Sequence, residues 1–403
     1  VRRHYLLTPL LLMLVAAHAN AQDRLRKLLP TDAESGRHGL VRRWYGQAPV
    51  DGVREKVVSA SVVGNQLHLQ TNASRLHVMD GESGKMIWTA QLGRPLPGQS
   101  GSAINSEAVF VISGANLYRL NRDDGSQLWS VRLPEAPNAA PAADEERVLV
   151  STGDGRIYVY DAVTHELQWF YQMNTTVSMP AVLVEEWIAC ASEDGMMCIF
   201  QAASRNPTVR YTTKFPLTAP LRAWQRSVLL ASRDYHLYSV DVRSGATLWR
   251  HSAGAEIHDP VAVIGDELYM TPEDSGIHKL DAKTGTLAWA YPRVDEFVAA
   301  SAKRIYAADR YGRLVILDRT VGRLLGMWDQ HEFDFHVRNE STDRLYFVTK
   351  TGLVVCLHEK ENKEPLLHKK PAAKPTDDEK PKAAPAEEMP AEPAAENKDG
   401  GNE

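Results

Sequence analysis

Hydrophobic and polar positions alternate along this chain in runs of a few residues, each bounded by Gly, Asp, Asn or Ser. "RVLVSTGDGRIYVYD" and "RLYFVTKTGLVVCLH" each hold two such runs around a turn glycine. Period-two alternation in short runs predicts β-strands joined as hairpins, and no repeated unit carries a convincing helical period. Before each pair of hairpins comes a small apolar run such as "SMPAVL", "LTAPLRA" or "IHDPVAV". Each unit therefore predicts four short antiparallel strands.

The unit recurs at a constant pitch. Aligned on the residue that closes the third strand, Asp80, Asn121, Asp161, Gln201, Asp241, Asp281, Asp318 and His358 fall 41, 40, 40, 40, 40, 37 and 40 residues apart. Gly84, Gly125, Gly245, Gly285 and Gly322 follow this marker by four residues, and Trp88, Trp129, Trp169, Trp249 and Trp289 follow it by eight. The fourth and seventh units carry Val209 and Gly326 at the Trp position, with Trp328 close by. An Asp ending a strand can accept hydrogen bonds from the amides of the following turn. Glycine supplies the positive φ that the turn needs.

Four strands in about 40 residues cannot bury both faces of their own sheet, whereas sheets packed radially can. The expected fold is thus all-β, an eight-bladed β-propeller of four-stranded antiparallel blades; seven blades is the alternative, because the fourth and seventh units are degenerate. The last unit lacks an outer strand, and "GLVRRWYGQ", with Trp44, supplies one from the other end of the chain. Such a clasp removes two exposed sheet edges. Trp44, Trp88, Trp129, Trp169, Trp249 and Trp289 are expected to dock blade on blade, each burial worth a few kcal/mol at ~25 cal/mol/Å².

The two ends differ from the repeats. "VRRHY", the apolar run "LLTPLLLMLVAA" and Ala19-Asn20-Ala21 predict a signal peptide over residues 1–21 and a periplasmic or extracellular location. Residues 22–38 read as a lead-in, 39–358 as the propeller, and 359–403, rich in Lys, Pro, Ala and Glu, as a disordered tail. No later run is long and apolar enough to span a bilayer, and no cysteine lies near the cleavage site to carry a lipid. With net charge −5, nothing in the bulk composition points to nucleic acid. Cys190 and Cys198 in "CASEDGMMC" are placed on facing strands, as two small buried hydrophobes or as a disulfide; Cys356 is the third cysteine.

The strings "LYSVDVRSGATLW" and "IHKLDAKTGTLAW" closely resemble the PQQ-like repeat, the tryptophan-docking motif of quinoprotein alcohol dehydrogenases and of BamB-type outer-membrane assembly proteins. The resemblance covers residues 39–358. It implies either a PQQ- and Ca²⁺-dependent oxidoreductase or a non-catalytic scaffold that binds another envelope protein. The catalytic branch implies a vicinal Cys-Cys pair and large insertions, and c-type haem variants imply Cys-x-x-Cys-His; this chain has none of these. The expectation is therefore a monomeric, non-catalytic binding propeller, with the reduced-pocket oxidoreductase as the alternative.

One further position was read from the repeat. Twenty-two residues before the marker stand Val58, Gln99, Ala139, Met179, Ala219, Asp259, Glu296 and His336. If equivalent positions of the innermost strands face a common axis, Asp259, Glu296 and His336 would share one channel mouth and could hold a metal or a cationic group.

Overall fold

The computed structural model describes residues 28–94 and 99–368. The expected signal peptide and the chain beyond residue 368 lie outside the described residues. Eight four-stranded antiparallel sheets form a ring, confirming the eight-bladed reading over the seven-bladed one. Blades 1 to 7 occupy residues 57–91, 99–132, 142–172, 182–212, 222–252, 262–291 and 296–329. Blade 8 combines Phe335–Val337, Leu345–Val348 and Leu353–Glu359 with the N-terminal strand Leu40–Gln47. That strand pairs antiparallel with Leu353–Glu359, and Trp44 lies opposite Cys356. A short helix, Asp32–Arg37, capped by Thr31 and Glu34, precedes it.

The buried apolar side chains fall into eight clusters, and each belongs to one joint between neighbouring blades. Strand alternation makes this partition. In blade 8, Leu345, Phe347, Leu353 and Val355 join the cluster toward blade 7, while Tyr346, Val348, Val354 and Cys356 join the one toward blade 1. No blade has a core of its own, which is why a lone unit of this kind would not fold.

The six indoles share one geometry. Each Nε1–H donates to the carbonyl one residue past the marker of the next blade: Trp44 to Gly81, Trp88 to Arg122, Trp129 to Ala162, Trp169 to Ala202, Trp249 to Ala282 and Trp289 to Arg319. In four of the six joints, those of Trp44, Trp88, Trp249 and Trp289, the ring lies on the turn glycine of that next blade. A Cβ on Gly84, at φ 67°, would stand 2.3 Å from Trp44, and one on Gly322, at φ 69°, would stand 2.5 Å from Trp289. The marker carboxylates act as the sequence implies: Asp281 accepts from the amides of Lys283 and Thr284 at 3.0 and 2.9 Å. Those bonds hold its pKa below the usual carboxylate range.

The joint between blades 7 and 8 departs from this pattern. Gly326 stands where the indole would be, and the lead-in covers it. His38 stacks on Trp328 with ring centroids 5.3 Å apart, and Leu29 packs into the same cluster. The stretch expected as tail also begins differently: Glu359 closes a strand, and residues 360–368 are bound back onto the ring. Arg344, fully buried, donates to the carbonyls of Asn362 and Lys363 at 3.1 and 2.8 Å and to Glu82 of blade 1 at 3.0 and 3.2 Å. The Asp343 carboxylate accepts from the Leu366 amide.

Cys190 and Cys198 pair directly across the two middle strands of blade 4, and both are free thiols, as is Cys356. Burial raises the pKa of Cys190 and of Cys356 far beyond the ordinary thiol range, which makes them inert.

Candidate functional site

Two regions present chemistry: the axial channel and the face formed by blade-to-blade linkers together with the turns between second and third strands. The first strands of the blades lie side by side around the axis. Their side chains point largely at the neighbouring blades, because the strand's edge, not its face, looks inward. This geometry separates the three residues read from the repeat.

His336 turns into the joint between blades 7 and 8. It pairs across strands with Phe347 and lies edge-on to that ring, with centroids 5.1 Å apart and planes at 84°. Burial lowers its pKa to about 4, so it stays neutral at physiological pH. Asp259 and Glu296 do come near each other at the channel mouth. The Glu296 carboxyl is touched by solvent yet ringed by protein. That enclosure, reinforced by the Asp259 carboxylate, raises its pKa to about 7 against the opposing pull of Arg338. Among the described residues no group of three His, Cys, Asp or Glu side chains could hold a metal ion. The three positions are not equivalent in register: His336 pairs with Phe347, which matches Phe297 paired with Ala307 in blade 7, whereas Glu296 pairs one step further on with Ala308 and Asp259 precedes its strand.

Deeper in the channel lies a contact that no motif announces. Glu340, nearly buried, accepts from Arg338 Nε at 2.8 Å, from Arg222 of blade 5 and from the Val263 amide of blade 6 at 3.3 Å. One carboxylate thus ties three blades across the axis. Beside it lies a cavity of about 310 Å³ lined by Ala60, Ser61, Val62, Arg222, Pro260, Arg338, Glu340 and Ser341. Its lining has no aromatic platform, and both guanidiniums already serve Glu340. A planar quinone with Ca²⁺ does not fit this donor set. Only three-dimensional proximity brings residues 222, 263 and 340 together, so no local sequence signal could have found them.

The linker face carries exposed aromatics. Phe215 (linker from blade 4 to 5), Tyr235 (turn of blade 5) and Tyr311 (turn of blade 7) are 48%, 47% and 68% exposed, and Val53, in the linker from blade 8 to 1, stands free. Among the described residues, every exposed aromatic outside a strand lies on this face; the opposite turns show only aliphatics such as Val163 and Val321. Residues 360–368 lie against the opposite face. The lead-in runs back from Gly39 along blade 7, so that Leu28, Leu29 and Pro30 stand beside residues 329–333 at the linker from blade 7 to 8.

Comparison with known proteins places this geometry. The family model described as outer membrane protein assembly factor BamB matches residues 72–204 and 204–332. The chain is 23% identical over 283 residues to the outer membrane protein assembly factor BamB of Shewanella oneidensis, covering 63% of this chain and 69% of that protein. It is 22% identical over 315 residues to tetrathionate hydrolase of Acidithiobacillus ferrooxidans, covering 60% of this chain and 59% of that protein. Among solved structures, BamB from Moraxella catarrhalis superposes with a TM-score of 0.64 at 14% identity, over 80% of this chain and 98% of that one. The computationally designed Ika8 protein superposes at 0.65 with 16% identity, over 78% of this chain and all of that one. At such identities the structural likeness speaks for the fold alone.

Proposed function

We propose a binding function, proceeding from the fact that the chain belongs to the PQQ-like repeat family whose model is described as outer membrane protein assembly factor BamB. The protein is an exported, non-catalytic propeller of the cell envelope that docks another envelope protein on its linker face. The observation that carries this reading is the gathering of exposed aromatics on that one face, away from residues 360–368 on the other. A single sheet-closed ring with short turns offers a rigid platform, so little ordering is lost when a partner docks. Among the described residues no helix is long and apolar enough to cross a membrane.

Photo-crosslinking amino acids placed at Val53 and Phe215, and for contrast at Val163 and Val321, test the reading in intact envelopes. Adducts of one discrete partner from the first pair only are expected. Adducts confined to the second pair would move the docking surface to the opposite face. Saturable uptake of PQQ with Ca²⁺ by the purified chain would overturn the non-catalytic part.

A further inference from the structure

The linker face also holds a cavity for which the docking of a protein partner does not account. It lies between blades 6 and 7 and measures about 530 Å³. A second cavity of about 330 Å³ adjoins it, and Asp274, Asp295 and Arg310 line both. The combined space is of the size that small-molecule sites occupy.

Its chemistry is specific. Tyr311 stands at the lip with its ring exposed and the Arg313 guanidinium 5.2 Å from its centroid, which fixes the ring as a platform. Arg310 is held between Asp274 at 2.6 Å and Asp295 at 3.3 Å. The other oxygen of Asp295, Oδ2, is closed off from solvent and has no hydrogen-bond partner. A buried carboxylate oxygen without a donor costs free energy unless something supplies one. Arg293 also lines the cavity, on a backbone held at φ 64°, a strained value for a non-glycine residue.

The charges sort the candidate ligands. Three carboxylates (Asp274, Asp295, Asp309) face three guanidiniums (Arg293, Arg310, Arg313), so the cleft is close to neutral and discriminates against a strongly charged ligand. Its walls are too polar for a lipid chain. What remains is a neutral molecule with one face to lay on an aromatic ring and many hydroxyls to donate and accept. We propose that the cleft between blades 6 and 7 binds a neutral oligosaccharide, with one sugar ring stacked on Tyr311 and hydroxyls paired with the exposed Arg310–Asp274 ion pair. This site is independent of the protein-docking reading.

The full chain, titrated calorimetrically with maltotriose, cellotriose and triacetylchitotriose, tests it, with polygalacturonate and a mixed-charge tripeptide as the contrasting probes. Saturable binding of at least one neutral trisaccharide is expected. Tyr311→Ala and Asp274→Ala should each weaken it by about tenfold or more, the factor that about 1.4 kcal/mol of lost contact gives. Tyr235→Ala, on the neighbouring turn, should leave it unchanged. The thermal midpoint of each variant confirms folding, which an exposed Tyr311 should not affect. Three results would each overturn the assignment: no saturable binding of any neutral trisaccharide, binding only of polygalacturonate or the peptide, or binding indifferent to Tyr311→Ala in a folded protein.

Discussion

Joints that set an indole on a glycine differ measurably from joints that keep the indole and lose the glycine. In the first group, Trp44, Trp88, Trp249 and Trp289 donate at 2.9, 2.9, 2.9 and 3.0 Å and are buried. In the second, Trp129 and Trp169 donate at 3.3 Å and are only half-buried. At the glycine's place the second group has His165, at φ 60° with its ring 5.7 Å from Trp129, and Arg205. A side chain on the turn holds the indole off the carbonyl it seeks. The glycine is therefore needed twice, for its positive φ and for the space its missing Cβ leaves. Blade 4 solves the same joint with less material: Val209 sits where a Cβ on Gly245 would come within 2.5 Å.

The strongest way to break this comparison is to remove the wedges. Trp289→Ala should lower unfolding stability by about 4 kcal/mol, from lost burial, a cavity and an orphaned carbonyl on Arg319. Val209→Ala, at the equivalent place in blade 4, should cost about 1–2 kcal/mol. Urea unfolding of both variants checks the ranking, and equal losses would mean that the indoles are incidental to the joints.

Next in size is the seam where the chain ends meet. Arg344→Ala leaves Asp343 buried and Glu82 without its partner, at a cost of about 3 kcal/mol. It should also release residues 360–368, so amide exchange at Asn362, Lys363 and Leu366 should accelerate while the repeat joints stay protected. Uniform acceleration around the ring would deny the seam any separate standing.

A paired glycine test isolates the steric role. Gly322→Ala combines positive-φ strain with a Cβ 2.5 Å from Trp289 and should cost about 2–3 kcal/mol. Gly254→Ala, at φ 81° with nothing within 4 Å of its Cβ, carries the strain alone and should cost about 1 kcal/mol. If both lose the same amount, the backbone angle explains the glycines and the indole does not.

The ring was legible because its signals are local and repeated: a marker, a turn and a wedge at fixed offsets, with Trp44 left over to close the last blade. The second use of the turn glycine was hidden, since it depends on the neighbouring blade. His165 and Arg205, which replace glycine four residues after the marker in the two looser joints, are its trace in the sequence. The channel was misread for a geometric reason. Counting back from the marker assumes one register in every blade, but His336 pairs as Phe297 does, one step from Glu296, and so turns toward Phe347 while Glu296 stays at the mouth. The Glu340 staple and the Arg344 latch join residues tens to hundreds of positions apart, which no repeat pattern encodes.

That contrast between a joint histidine and a mouth carboxylate has a measurable signature in pH, smaller than the others because it alters a slope and not a level. His336 and His68 have folded pKa values near 4 and 3, below the ordinary histidine value of about 6.5. The unfolded chain therefore binds their protons first, and their contribution, complete above about pH 6.5, is lost as pH falls toward those folded values. Glu296 acts in the opposite sense. Its folded pKa of about 7 exceeds the unfolded value of about 4.5, so the folded state binds its proton more tightly, and stability declines as pH rises from about 4.5 to 7. Between pH 4.5 and 6.5 the two effects oppose each other. His336→Asn should flatten the loss of stability on acidification in that window, and Glu296→Gln should steepen it. Unfolding midpoints of the three proteins across pH 4.5–7 decide the matter: if Glu296→Gln leaves the slope unchanged, the carboxyl at the channel mouth is ordinary, and the enclosure inferred for it is wrong.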